Sequence, residues 1–325
     1  MKTIKWGIIG CGDVTEVKSG PGFQKAINSE LVAVMRRNGE LAKDYAQRHN
    51  VAKWYDDAEK LINDPEVDAV YIATPPVFHK EYTLKCALAG KPVYVEKPMA
   101  MSYEEAEEMV EACKNKGVPL FTAYYRRRLP AFLKVKELVE SGAIGEVRFV
   151  KVTLYKPPTE EEMNAEALPW RVVPEISGGG IFLDLASHTI DVLEFILGPI
   201  KDAMGHASNQ AGLYSAEDMV SANFYFESGA HGIGAWCFSA FEAYDRNEII
   251  GTKGKIIFST FGLEPVELAN SQGTVLFPIN NPQHVHQPLI QTIVNELNGE
   301  GKCPSTGESG SRVNLIMDKI LGRIK

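Results

Sequence analysis

Over the first 124 residues short apolar runs alternate with stretches whose apolar residues recur every third or fourth position. The runs predict strands at Ile4–Ile9, Glu30–Met35, Val51–Tyr55, Val67–Ala73, Pro92–Val95 and Leu120–Ala123. The periodic stretches predict helices at 39–49, Asp57–Asn63, Phe78–Ala89 and Tyr103–Lys116. After the first strand, Asp13–Lys18 has room for a short helix before Ser19-Gly20-Pro21-Gly22 interrupts it. Strands and helices in this alternation imply βαβ units and a parallel sheet. Near residue 124 the rhythm changes. A helix opened by Leu129-Pro130 runs through Val139. Two-residue alternation follows at Val147–Tyr155, Met219–Glu227, His231–Phe238, Asn247–Ile250, Lys255–Ser259, Val266–Ala269 and Thr274–Phe277. That pattern predicts a mostly antiparallel sheet with helices on one face. Helices resume at Pro288–Leu297 and after Ser305, where Ser305 and Glu308 have capping-box spacing. The chain therefore divides into an α/β domain, 1–124, and an α+β domain, 125–325.

Composition narrows the function classes. At 325 residues with 45% apolar positions, two cores can form. A net charge of −8 excludes nucleic acid or an anionic membrane as the main partner. The five cysteines are scattered and never in C-x-x-C spacing, which suits a reducing compartment. No run of about 18 apolar residues occurs, so the reading is soluble and cytoplasmic.

Three stretches carry chemistry. The first strand enters Gly10-Cys11-Gly12-Asp13-Val14-Thr15. Gly10 can turn the chain sharply, and Gly12 allows a pyrophosphate close to the backbone at the start of the next helix. Thr15 replaces the third glycine of that pattern, so an ordinary strand-to-helix turn is the alternative. The fifth strand delivers Tyr94-Val95-Glu96-Lys97-Pro98 to the edge where ligands of open α/β sheets bind. A lysine at a strand end is commonly a solvated residue. Here its ammonium can instead stabilise a developing alkoxide. The third stretch, Ile181–Leu197, follows Gly178-Gly179-Gly180 and is the strongest helix pattern in the chain. Asp184, Ser187, His188 and Asp191 form one polar stripe on its otherwise apolar surface. A solvent face would carry Lys, Arg and Glu, so the stripe reads as facing an active-site cleft, with His188 as proton carrier. Metal ligation by Asp184 and His188 ranks below this, because no further ligands lie nearby, and no metal is expected. Trp236 reads as a sheet-packing residue, and His284 and His286 receive no role.

Together Gly7–Gly12, Ala73-Thr74-Pro75 with His79, Glu96-Lys97-Pro98, Gly142-x-x-Gly145 and Gly178-Gly179-Gly180 with Asp184 and His188 resemble the glucose–fructose oxidoreductase and inositol 2-dehydrogenase (Gfo/Idh/MocA) family. Trp170-Arg171, ahead of the glycines, is similar to the 1,5-anhydrofructose reductase branch. Pro76 and Ala186 stand where many members have asparagine and glycine. The resemblance implies a Rossmann dinucleotide-binding domain followed by an open-faced α+β domain. It implies nicotinamide-dependent oxidation or reduction of sugars, polyols and related carbonyls. It makes Lys97, Asp184 and His188 catalytic. It places Gly10, Cys11, Gly12, Asp13, Val14, Thr74, Pro75, His79, Glu96, Lys97, Trp170 and Arg171 at the cofactor. Tyr125 and Arg127 join Lys97, Asp184 and His188 as candidates for the substrate hydroxyls, while two of the three arginines at 126–128 read as solvated surface.

Coenzyme choice follows from the second strand's end. An NAD-preferring site offers a carboxylate there to the ribose 2′-OH. This chain offers Arg36-Arg37-Asn38 and no acid before Glu40, so NADP(H) is expected over NAD(H), with both arginines on the 2′-phosphate. A non-catalytic NAD(P)-binding redox sensor on the same fold is the rival reading, and it would not need Lys97, Asp184 and His188 together. A sheet with one covered face predicts a homodimer or homotetramer built sheet to sheet.

Overall fold

A computed structural model describes residues 1–324. The first compact unit comprises Met1–Arg128 and Pro282–Arg312, and the second comprises Leu129–Asn281 and Val313–Lys325. In the first unit β1 (Ile4–Ile9), β2 (Ser29–Met35), β3 (Lys53–Tyr55), β4 (Ala69–Ile72), β5 (Val93–Val95) and β6 (Leu120–Thr122) form one sheet. Their order is β3-β2-β1-β4-β5-β6 and every pairing is parallel. This is the doubly wound arrangement, and it gathers all six carboxyl ends on one edge. Strands covered on both faces must be apolar throughout, and β4 and β5 are buried at every position.

The intervening helices are α1 (Asp13–Val17), α2 (Gly20–Lys25), α3 (Gly39–Arg48), α4 (Ala58–Ile62), α5 (His79–Leu88) and α6 (Tyr103–Lys116). The boundaries of α6 match the sequence reading because both ends are chemically marked. Ser102 accepts from the Glu105 N–H at 3.3 Å, and Gly117 closes the helix at φ +66°. The interruption after α1 is not a coil: Pro21 lies in the first turn of α2, which resumes the crossover.

In the second unit α7 (Pro130–Glu140) leads to β7 (Val147–Tyr155), then to the short α8 (Glu160–Met163) and α9 (Pro174–Ser177). The long α10 (Ile181–Leu197) follows. Strands β8 (Ile200–Ser208), β9 (Met219–Phe226), β10 (His231–Cys237), β11 (Tyr244–Gly251), β12 (Gly254–Phe258), β13 (Val266–Asn270) and β14 (Gly273–Phe277) complete an eight-stranded sheet. Its order is β14-β13-β12-β11-β7-β10-β9-β8, antiparallel except at β7–β10. Burial alternates along β9, so Val220, Ala222, Phe224 and Phe226 face the core while Ser221, Asn223 and Tyr225 face out. Trp236 is fully buried edge-on to Phe182 of α10 at 5.1 Å, a packing role.

The structure differs from the sequence reading in three places. The expected division at 124/125 gave everything downstream to the second domain, whereas Pro282–Arg312, with α11 (Gln287–Leu297), belongs to the first unit. Strand β8 was read as no element, because its exposed and half-buried positions do not alternate. At the start of α12 (Gly307–Ile320) the reciprocal cap joins Thr306 and Ser309 rather than Ser305 and Glu308. The Ser305 hydroxyl instead donates to the Thr122 carbonyl at 2.7 Å. Among the described residues no helix is long and apolar enough to cross a membrane.

Candidate functional site

The carboxyl edge of the first sheet is fixed largely by main-chain bonds. Both the Gly10 and Cys11 N–H groups donate to the Met35 carbonyl, at 2.9 and 3.2 Å. Gly10 adopts φ +92°, and a side chain there would come within 2.9 Å of Thr74 and 3.0 Å of the Ala73 carbonyl. Cys11 is buried, and burial pushes its thiol up to about 11, so it is a packing residue beneath the turn. Gly12 precedes α1, whose first residues are the exposed Asp13 and the half-buried Val14. A dinucleotide fits this edge. A side chain at Gly12 would meet nothing nearer than the Gly10 carbonyl at 3.9 Å, which leaves the turn open to a pyrophosphate, and the Thr74 hydroxyl beside Gly10 finds no protein partner.

Arg36 and Arg37 are both exposed at the end of β2, with the Arg37 guanidinium 5.0 Å above the Phe78 ring. Thr74 and Pro75 are half-buried at the end of β4. His79 is a correction to the expected cofactor lining, because its ring is wholly buried. Nε2 lies 2.7 Å from the Thr74 carbonyl and Nδ1 lies 3.1 and 3.2 Å from those of Pro98 and Met99. The ring lies between the loops after β4 and β5, and as a neutral imidazole it donates to a carbonyl of only one of them. Glu96 is also buried, accepting from the Tyr71 hydroxyl and, at 3.1 Å, from the Lys97 N–H. Lys97 itself is half-buried and precedes a cis proline.

Two substrate candidates are corrected in part. Tyr125 and Arg127 are buried, and Arg127 donates to the Pro304 carbonyl at 2.6 Å. Arg126 is buried as well, donating to the Tyr125 hydroxyl at 3.0 Å, so neither arginine is solvated surface. The C-terminal return that buries them carries no compositional mark.

In the second unit α10 carries the expected site residues Asp184 and His188. Its Gly180 N–H donates to Glu217 at 3.0 Å, and the apolar residues that surround the stripe hold the helix in the core. Asp184 is half-buried, 3.4 Å from the guanidinium of Arg171, which lies 4.5 Å above the Trp170 ring. Trp170 and Arg171 were expected at the cofactor, and here Arg171 orients Asp184. His188, one turn on, is buried and meets Phe261 edge-on at 5.9 Å. Phe261 is held by a small hub. Its N–H donates to Asp245 at 2.6 Å, and Thr260 meets Asn247 at 3.0 Å and Thr189 at 3.1 Å. Nothing in the sequence singled out Asp245, Asn247 or Thr260. Ser187 and Asp191 are fully buried, so the stripe turns inward rather than lining a surface along its whole length.

Residues 4–124 match the oxidoreductase family with an NAD-binding Rossmann fold, and residues 132–257 match the GFO/IDH/MocA C-terminal domain. The chain belongs to the GFO/IDH/MocA oxidoreductase family. Among relatives of this family, Oxidoreductase P35 of Formosa agariphila is 41% identical over 98% of both chains. The 1,5-anhydro-D-fructose reductase of Ensifer adhaerens is 30% identical over 94% of this chain and 92% of its own. Among solved structures, levoglucosan dehydrogenase in complex with NADH and levoglucosan superposes with a TM-score of 0.86 at 26% identity, covering 98% of this chain and 96% of that one. The GFO/IDH/MocA chain described here is accordingly an NAD(P)-dependent oxidoreductase.

Burial holds His79 down from 6.5 to about 4. The folded ring therefore stays neutral where the unfolded ring gains a proton, so stability is full above about pH 6.5 and is lost as the pH falls toward 4. The cost is about 1.4 kcal/mol per pH unit for this histidine. Substitution His79→Gln should flatten the fall in unfolding free energy between pH 6.5 and 4.5 by close to one proton, measured by urea titration. Parallel curves for the two proteins would show that His79 is not held neutral.

Proposed function

We propose that this family member is an NADP-dependent oxidoreductase that moves hydride between the nicotinamide and a carbinol or carbonyl carbon of a sugar or polyol-like substrate. The observation that carries the reading is the pairing on α10 of a buried His188 with an arginine-held Asp184, in a chain whose nucleotide sheet ends in Lys97. A redox sensor has no use for that set. The substrate class is supported by relatives named for 1,5-anhydro-D-fructose and levoglucosan. Five free cysteines, four of them buried, support a cytoplasmic setting.

The bound nicotinamide supplies or accepts the hydride. In the oxidative direction the substrate hydroxyl gives its proton to the imidazole of His188 as the C–H bond breaks, and in reduction the proton returns. Asp184 holds that imidazole by its charge, and Arg171 keeps the carboxylate in one orientation. The Lys97 ammonium stabilises the oxygen while it carries negative charge. His79 and Glu96 hold the strand ends that present Lys97, so their contribution is positioning.

At the coenzyme's other end, Arg36 and Arg37 follow β2 with both side chains exposed and no acid before Glu40, which suits a 2′-phosphate. The outer face of the second sheet exposes Met204 at 64%, Ile233 at 45% and Leu276 at 56%, apolar area that a second copy of the chain would cover.

Lys97→Ala and His188→Ala should each lower turnover by roughly 10²–10⁴-fold on whichever sugar of a carbonyl and polyol panel the unmodified enzyme uses. Coenzyme binding should survive His188→Ala, and near-native turnover in that variant would reassign the proton carrier. NADPH should bind more tightly than NADH, and Arg36→Ala/Arg37→Ala should weaken NADPH by at least about tenfold while sparing NADH. Equal dissociation constants in the unmodified protein would overturn the coenzyme assignment. Light scattering at micromolar concentration should report a dimer or tetramer, and a monomeric mass would remove the sheet-to-sheet assembly.

A further inference from the structure

The segment that returns to the first unit brings two histidines to the strand edge, and neither belongs to the machinery described so far. His284 takes a hydrogen bond from the Lys25 ammonium on Nε2 at 2.7 Å and gives one from Nδ1 to the Val17 carbonyl at 2.7 Å. It therefore fastens the end of α1 to the end of α2. The His286 N–H continues this contact to the Lys18 carbonyl at 3.4 Å. The His286 ring passes inward and is 1% exposed, tilted 31° against Tyr125 with ring centroids 4.3 Å apart. Its Nδ1 lies 3.1 Å from the Tyr94 hydroxyl, and its Nε2 lies 3.8 Å from Oε1 of Glu96.

Hydrogen placement follows from this geometry. The Glu96 carboxylate, 3.8 Å from Nε2, can only accept, which favours the imidazole proton on Nε2 and leaves Nδ1 to accept from the Tyr94 hydroxyl. Burial, with the charges of Lys18, Arg126 and Lys97, also pulls His286 down to about 3, so the ring acts as a dipole rather than a cation. Tyr71 donates to the same Glu96 oxygen, and the other oxygen accepts from the Lys97 N–H. Tyr71 and Tyr94 are stacked at 4.9 Å and braced by Phe23 of α2, so their hydroxyls cannot swing away.

We propose that His286, oriented by Tyr94, is a positioning residue that fixes the Glu96 carboxylate and through it the backbone of Lys97. A residue 189 positions downstream of Lys97 in the chain thus sets the direction from which the lysine leaves its strand. The assignment rests on the proposed role of Lys97 in catalysis, but it can be read without turnover.

Three variants test it. His286→Phe keeps the ring against Tyr125 and loses both nitrogens, His286→Gln restores a polar group, and Tyr94→Phe removes one hydroxyl. In coenzyme-free protein, hydrogen exchange at the Lys97 amide should accelerate roughly fivefold or more in His286→Phe and Tyr94→Phe, and recover in His286→Gln. On a substrate that the unmodified enzyme turns over, kcat should fall by roughly 10–100-fold while the dissociation constant for coenzyme stays within about twofold. Unchanged Lys97 exchange in both Phe variants, with unfolding midpoints like the parent's, overturns the proposal. Should His286→Phe not fold, Tyr94→Phe decides alone. If the sugar panel yields no turnover, the functional reading fails while the exchange result still decides the positioning.

Discussion

A carboxylate taken out of water costs several kcal/mol unless donors replace its hydration, and Glu96 is 7% exposed. The first unit is arranged around meeting that demand. One oxygen accepts from the Tyr71 hydroxyl on β4 and the other from the Lys97 N–H immediately after β5. The imidazole of His286 approaches from a segment nearly two hundred residues away. Removing the Tyr71 or the Lys97 donor leaves the buried carboxylate under-satisfied, which is more destabilising than the bond itself is stabilising. Pro282–Arg312 is tied to the nucleotide sheet by direct bonds as well: His284 to the Val17 carbonyl, Arg127 to the Pro304 carbonyl and the Ser305 hydroxyl to the Thr122 carbonyl.

Histidine burial repeats the same logic in other forms. His79 spends its proton on a carbonyl of one strand-end loop and rests against carbonyls of another. His284 sits between a lysine donor and a carbonyl acceptor, which fixes its tautomer without a charge. Each ring bridges groups from two different segments of the chain. Short polar side chains in a loop would be replaced there by water. A buried imidazole is rigid, bidirectional and large enough to fill the space.

What could be read from the chain divides along sequence distance. Helices α6 and α10 were legible to the residue because their ends carry local chemistry: a serine cap and a left-handed glycine for one, flanking glycines for the other. The parallel sheet was legible because strands and helices alternate along the chain and β4 and β5 are apolar and buried throughout. Strand β8 was not, since an edge strand with mixed exposure has neither alternation nor a continuous apolar run. Gly10, Lys97, Asp184 and His188 stood out by type and spacing. Two of the three arginines at 126–128 read as solvated from sequence, yet Arg126 and Arg127 are buried, and the Pro304 carbonyl that receives Arg127 is brought there only by the tertiary fold.

The same distinction explains why His286 escaped notice while His188 did not. His188 sits at helical spacing from an aspartate, so a window of a few residues contains both partners. His286 meets Tyr94 and Glu96 across a separation that no periodicity spans. Its neighbours in sequence, Asn281-Pro282-Gln283 and Gln287-Pro288, read as a loop and a helix start, and a histidine in such a loop is ordinarily exposed. Burial changes its meaning, because a ring enclosed on every side can act only on what touches it. It touches the Tyr94 hydroxyl and the Tyr125 ring, and its Nε2 lies 3.8 Å from the glutamate of the Glu-Lys-Pro stretch. The local signal identifies the lysine as chemically relevant, and the long-range packing determines how rigidly that lysine is presented.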